Sequence, residues 1–301
     1  MLVDPWWKAE ACAADVLKQQ NITKLPIDPF SIADAKGIMY MENPSLEAGI
    51  SGCLMRVGEQ FGIMYSTRFS SNGFRRFTFG HELGHNFLEG HAEHLFKDGC
   101  TLHTSTTDFI SDDRYEQEAD AFAASLLMPK PLFREAAAGV GNGLNAIIAM
   151  AALCEMSLTS TAIRYARLIT EPVAVVLSMN RKVLFSIMSP TLRAQRNLTW
   201  LKKGAGVPSS TLTFQFAGDS TNIQNARTTS GYATLDDWFE GPDTEISEEV
   251  IGLGEYGRAL TVLRAESLPD PETVMERSDG REDDEAESLL PSQRFFQKTR
   301  Y

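Results

Sequence analysis

The sequence predicts an α+β protein of more than one domain. Three observations carry this. At 301 residues the chain exceeds the usual size of one domain. Its front part mixes apolar residues at helical spacing with short β-rich runs, and branched apolar runs return near the end after a purely helical stretch. The organisation that follows is a first α+β domain over residues 1–130, a helical region over 131–170, a second α+β domain over 171–268 and an acidic tail over 269–301.

From the N-terminus, residues 6–19 read as a helix with Ala11, Ala14, Val16 and Leu17 among its apolar positions, and 21–27 as a turn. Ser31 can cap a short second helix running through Lys36, which Gly37 ends, and 38–41 reads as a strand. Residues 53–57 and 61–65 make a hairpin about Gly58-Glu59-Gln60, just ahead of the next helix.

That next helix holds His81-Glu82-Leu83-Gly84-His85, which fits the H-E-x-x-H pattern. A helix turns about 100° per residue, so residues four apart lie on one face, and His81 and His85 can reach one metal ion together. Glu82 projects to the side of that face, where a carboxylate can take a proton from the attacking water without occupying a coordination position. Phe79, Leu83 and Phe87 supply an apolar stripe, and Gly80 and Gly84 leave room for another backbone. The motif thus lies on a helix that reads as buried.

A catalytic zinc takes three protein ligands and keeps a fourth position open, so a third must be found. His91, ten residues after His81, stands where a metzincin places it, but the glycine that pattern wants three residues after the second histidine is Leu88 here, and the glycine is Gly90. The other candidates lie on a helix over 114–128 that Ser111 or Asp112 can cap, with Asp113 suited to its positive end and Pro129 at its stop. Glu116 and Asp120 are four apart beside the stripe of Ala119, Phe122, Ala123 and Leu126. One can bind the metal while the other accepts the free ring N–H of a ligating histidine. Glu118 points about 200° from Glu116 and is expected in solvent.

These residues carry a resemblance. Phe77-Thr78-Phe79-Gly80-His81-Glu82-Leu83-Gly84-His85 followed by Glu116-x-Glu118-Ala119-Asp120-x-Phe122-Ala123-x-x-Leu126-Leu127-Met128-Pro129 resembles the ImmA/IrrE family of bacterial metallopeptidases. Pro26-Ile27-Asp28-Pro29-Phe30-Ser31-Ile32-Ala33 and Gly49-Ile50-Ser51-Gly52-Cys53-Leu54 resemble its entry and strand region, so the likeness covers about residues 8–132. It implies a small zincin-like (gluzincin) metalloprotease domain, zinc held by His81, His85 and Glu116, Glu82 as the base and Asp120 behind a ligand. Members typically cleave a helix-turn-helix repressor and so release a stress or mobile-element regulon. The chain departs from the family in the long segment over 89–113, which adds His91, His94 and His103.

After Pro129, helices are expected over 131–138, 144–154 and 160–168, the last two with the look of a helix-turn-helix. Arg164 and Arg167 are the only strong cations of its second helix, which favours a bracing role over DNA reading. Runs 173–179 and 183–187 read as a hairpin turning near Asn180-Arg181. Further strands are expected over 212–216 and 259–263, with 235–239 holding Trp238 and 245–253 packing as an amphipathic segment. In order and size this second domain resembles the GAF-like sensor attached in IrrE-type proteins. Beyond it the acidic tail reads as disordered.

A formal charge of −12 speaks against strong binding to bare nucleic acid. Asp4, Lys8 and Glu10 interrupt any signal peptide, and no apolar run is long enough to span a bilayer, so a soluble, cytoplasmic protein is expected. Cys12, Cys53, Cys100 and Cys154 form no C-x-x-C pair and are expected as reduced thiols.

The function expected is a zinc endopeptidase with one ion per chain, manganese or another divalent metal being the alternative, and a repressor protein as substrate and partner. Tyr65, His103 and Arg114 are the candidates for a donor to the developing oxyanion. Two other classes compete: an inactive regulator that works by binding a repressor, and a DNA-binding regulator with a vestigial site. The first would act stoichiometrically, and the second would need a basic groove that the composition does not offer.

Overall fold

The computed structural model describes residues 5–68, 71–99, 101–106, 113–195 and 197–268. The chain divides into two compact units, Met1–Gly141 with Ile148–Thr161, and Asn142–Ile147 with Ala162–Tyr301. The acidic tail, Cys100, Ser111 and Asp112 lie outside the described residues.

The first unit opens with helices α1 (Pro5–Gln19) and α2 (Pro29–Ala35). Strands β1 (Met39–Asn43), β2 (Ile50–Val57) and β3 (Gln60–Ser66) follow, then the motif helix α3 (Asn72–Phe87) and a short α4 (His91–Leu95). Strand β4 (Leu102–Thr106) and helices α5 (Arg114–Leu127) and α6 (Lys130–Ala137) complete the run. The sheet order is β1-β3-β2-β4, with β1 parallel to β3 and the other pairs antiparallel, so β1 and β4 are its edges.

Helix starts follow the capping chemistry, with corrections to the residues expected. Asp28, not Ser31, caps α2: its side chain accepts from Phe30 N at 3.0 Å, Pro29 fills the first helical position, and the Ser31 hydroxyl bonds back to Asp28. The cap of α5 is Asp113, which accepts from Tyr115 N at 2.8 Å. Helix α5 packs against both α1 and α3. Leu54, Ile63 and Tyr65 of the sheet, Phe79 and Leu83 of α3, Phe122 and Leu126 of α5 and Ala9 and Ala13 of α1 meet in one core. Phe30 extends it, its ring centroid 4.3 Å from that of Phe79.

Helices α7 (Gly143–Cys154) and α8 (Leu158–Leu168) form the expected bent pair, at 113°. Arg164 is buried, which removes one of the two cations a DNA reader would present. Among the described residues, no single helix is long and apolar enough to cross a membrane.

The second unit continues with β5 (Val173–Met179) and β6 (Lys182–Met188), whose two-residue turn has Asn180 and Arg181 both at positive φ, the geometry that matches the twist of a hairpin. Then come α9 (Pro190–Arg193), α10 (Leu212–Phe216), α11 (Ser220–Gln224), β7 (Thr228–Thr234), α12 (Leu235–Phe239), β8 (Glu245–Gly252) and β9 (Arg258–Ala265). The five strands form one antiparallel sheet in the order β6-β5-β9-β8-β7.

Two expectations are corrected here. Residues 212–216 are helical because Thr211 caps Phe214 N and the Glu248 carboxylate accepts from Leu212 N and Thr213 N. Residues 245–253, expected only as an amphipathic segment, include the full strand β8. Trp238 lies on α12, which starts at a reciprocal capping box of Thr234 and Asp237.

Candidate metal centre

Helices α3 and α5 approach closely because their facing residues are small. A Cβ on Gly84 would stand 3.1 Å from Ala119 Cα, and one on Gly80 would stand 3.4 Å from Ala123 Cβ. That approach sets Glu116, on the first turn of α5, beside the histidine face of α3. His81 Nε2 and His85 Nε2 are 3.0 Å apart, Glu116 Oε2 is 3.2 Å from the first, and Glu116 Oε1 is 3.3 Å from the second.

Tetrahedral zinc with bonds of about 2.0–2.2 Å would hold its ligand atoms about 3.3–3.6 Å apart. The three donors are therefore within a few tenths of an ångström of that spacing, and their chemistry, two imidazoles and a carboxylate, suits zinc. Burial pushes the His85 pKa down to about 3, which favours the neutral ring a ligand must be. Burial would raise the Glu116 carboxyl, but His103, His81 and His85 outweigh it and hold it well below the usual range.

The outer nitrogens of the two rings are held differently. His81 Nδ1 lies 2.8 Å from Asp120 Oδ1. Burial opposes a charge on His81, while Asp120 and Glu116 outweigh it and raise its pKa well above the ordinary value. His85 Nδ1 lies 3.0 Å from His91 Nδ1, and His91 Nε2 lies 3.1 Å from Glu118 Oε2. His91 thus stands behind His85, away from the three ligand atoms. The chain turns at Gly90, in the left-handed region at φ 86°, two residues later than a metzincin turns. Glu118 corrects the expectation of a solvated acid, for it is buried, and Arg114 Nε donates to its Oε1 at 2.6 Å.

Glu82 is fully buried, and neither of its oxygens accepts a hydrogen bond of normal geometry among the described residues. Burial pushes its carboxyl above the usual range, with His81, the Ser105 hydroxyl and His103 pulling the other way. Strand β2 passes directly over it: a Cβ on Gly52 would stand 2.6 Å from Glu82 Oε1. Gly52 pairs with Ser105 of β4, and Leu54 pairs with His103.

Of the three oxyanion-donor candidates, the structure brings His103 alone to the cluster. Its Nε2 is 3.1 Å from Glu116 Oε1, without hydrogen-bond alignment, and its ring meets that of His85 edge-on at 4.8 Å. Tyr65 donates to Glu42 at 2.9 Å, and Arg114 is taken up with Glu118. Sequence reasoning did not single out Gly52, Ser105 or β4 as parts of the site. The signals were present in the glycine of Gly49-Ile50-Ser51-Gly52 and in the branched residues of Leu102-His103-Thr104-Ser105-Thr106.

No curated protein matches the chain in sequence. Among solved structures, a Mycobacterium tuberculosis transcriptional regulator superposes with a TM-score of 0.55 over 85% of this chain and 75% of its own, at 13% identity, a likeness of fold. Residues 33–165 match the IrrE N-terminal-like domain. That span contains the motif helix, the sheet and the cluster of His81, His85 and Glu116, and it is this part of the chain, residues 33–165, that matches the IrrE N-terminal-like domain of Peptidase M78.

Proposed function

We propose that the chain is a metal-dependent endopeptidase, with zinc as its metal, that cleaves a helix-turn-helix repressor in the cytoplasm. The observation that carries this reading is the Glu82 carboxylate, buried and short of hydrogen bonds beside a His-His-Glu cluster. A stable core rarely keeps such a group unless chemistry uses it.

His81, His85 and Glu116 would hold the metal, which when bound supplies Lewis acidity, polarising a peptide carbonyl and lowering the pKa of a water toward about 7. Glu82, with its raised proton affinity, takes the proton of the attacking water and passes it to the leaving amine. His103, on the facing strand, donates to the oxygen that gains charge at the carbonyl. Asp120 holds His81 in the tautomer that leaves Nε2 free.

Strand β4 is an edge, paired among the described residues with β2 alone, and it carries His103 to the cluster. An extended peptide added along it would lie beside the metal ligands, with backbone bonds giving affinity and side-chain pockets giving specificity. A protein substrate suits this edge better than DNA suits a chain of formal charge −12. The repressor is the substrate class that the family resemblance implies. In the same reading the second unit, with its own sheet and cores, is a GAF-like module that takes a small signal.

The test mixes zinc-loaded protein at substoichiometric amounts with the helix-turn-helix repressor encoded nearest its gene and counts cut chains. Many cuts per protein, lost in Glu82→Gln, support the reading. A stoichiometric effect that survives Glu82→Gln sinks it and leaves a binding-only regulator.

A further inference from the structure

We propose that His91, Glu118 and Arg114 form a relay that fixes the orientation and tautomer of His85, making His91 a positioning residue of the metal centre rather than a ligand. The inference rests on the metal-site reading above and deepens it.

Proton bookkeeping along the chain of contacts leads to this assignment. His85 turns Nε2 toward His81 and Glu116, so for that atom to offer a lone pair its proton must sit on Nδ1. The atom 3.0 Å from that Nδ1 is His91 Nδ1, which must then be bare and accept. His91 consequently carries its proton on Nε2 and donates to Glu118 Oε2 at 3.1 Å. The Glu118 carboxylate accepts that proton's bond, and Arg114 Nε donates to its other oxygen at 2.6 Å, holding the carboxylate in place.

One buried acceptor thus dictates two tautomers in series. His91 is fully buried and the Glu118 side chain is 2% exposed, so water does not compete for these bonds. The two ligand rings are then oriented by different means, His81 by a direct carboxylate in Asp120 and His85 by an imidazole inserted between ring and carboxylate. The insertion follows from local geometry. The left-handed turn at Gly90 starts α4 with His91, and Glu118, two residues beyond the proposed ligand Glu116, leaves α5 on a different face.

The experiment measures zinc affinity of the full chain by competition with a chromophoric chelator. The variants are His91→Phe, His91→Gln, Glu118→Gln, the double variant His91→Phe with Glu118→Gln, and His91→Phe with Asp120→Asn. Loss of a partner behind a metal-bound histidine typically costs about 10- to 100-fold in affinity, and His91→Phe and Glu118→Gln should each fall in that range. Their double variant should lose no more than the larger single loss, because both break one chain of bonds, whereas Asp120→Asn should multiply the His91→Phe loss. His91→Gln should stay within a few-fold of wild type, since an amide can accept from His85 and donate to Glu118.

Thermal melts of the metal-free proteins check folding, and the near-isosteric Gln variants keep the test decisive if His91→Phe does not fold. Wild-type affinity in His91→Phe, multiplying losses in the first double variant, or a fall in His91→Gln as deep as in His91→Phe overturns the relay. A wild type that takes up no zinc overturns relay and site together. No cleavage is read, so failure of the peptidase reading alone leaves the result standing.

Discussion

Each unit of the molecule buries a glutamate completely, and the two are treated in opposite ways. Glu248 in the second unit accepts from Leu212 N at 3.2 Å, Thr213 N at 2.7 Å and Thr213 Oγ1 at 2.6 Å, closing the N-terminal turn of α10. Glu82 in the first unit has no well-formed hydrogen bond among the described residues, although Ser105 and His103 stand near it. A buried carboxylate without bonds is costly, and one with three donors is well placed. The contrast teaches what to look for: Glu248 serves the fold, whereas Glu82, in the function proposed above, is held ready for a proton that the fold does not need.

The largest expected effect would break the contrast if it failed. Glu82→Gln should lower cleavage by about 10²–10⁴-fold, the usual weight of a general base, with zinc content unchanged. Metal-free thermal stability should be equal or higher, because a carboxylate lacking hydrogen bonds is replaced by a neutral amide. A melting temperature that drops while cleavage persists would make Glu82 a structural acid like Glu248. Next in size, His103→Ala should reduce kcat by about 10²-fold with little change in KM, as for loss of one donor to the oxyanion. A rise in KM alone would assign His103 to substrate binding instead.

On the other side of the comparison, Glu248→Ala leaves the buried N–H of Thr213 and the partly buried N–H of Leu212 without their acceptor and takes one of two partners from the Thr213 hydroxyl, which keeps Thr261 Oγ1 at 2.8 Å. The second unit should lose about 2–4 kcal/mol, read from its unfolding transition in denaturant, with zinc content and cleavage per folded molecule unchanged. Loss of zinc in that variant would show that Glu248 is not confined to the fold of its own unit.

The sequence made the motif helix and its partner helix legible because both periods are long and their small residues stand at the crossing, Gly80 and Gly84 against Ala119 and Ala123. The hairpin at Asn180-Arg181 was legible for the same reason of strong local chemistry. Residues 212–216 misled because Leu212, Phe214 and Phe216 alternate like a strand, and the acid that makes them a helix stands more than thirty residues away in Glu248. Glu118 misled because helical angle alone cannot say what lies on the other side. The face opposite Glu116 is covered by His91, brought there by a turn whose direction depends on one left-handed glycine. Strand β4 escaped notice because its five residues form a strand only through pairing with β2.

The smallest expected effect sharpens the contrast most, since it touches no ionisable group. Gly52 lies where β2 crosses Glu82, and a methyl there would stand 2.6 Å from Glu82 Oε1 and 2.8 Å from Thr78 Cγ2. Both contacts are closer than real Cβ atoms show, so Gly52→Ala must displace the Glu82 and Thr78 side chains, and the carboxylate at the far end of Glu82 is the nearer of the two. Zinc binding should be unaffected, because the atoms nearest the added methyl belong to Glu82 and Thr78 and not to His81, His85 or Glu116. Cleavage should fall by about 10-fold, a misplacement penalty well below the loss of the base itself. Combined with Glu82→Gln, the Gly52→Ala loss should vanish, because there is no longer a base to misplace. Independent, multiplying losses would mean that Gly52 acts through β4 and the peptide edge, and that the close approach of β2 serves substrate binding rather than the aim of Glu82.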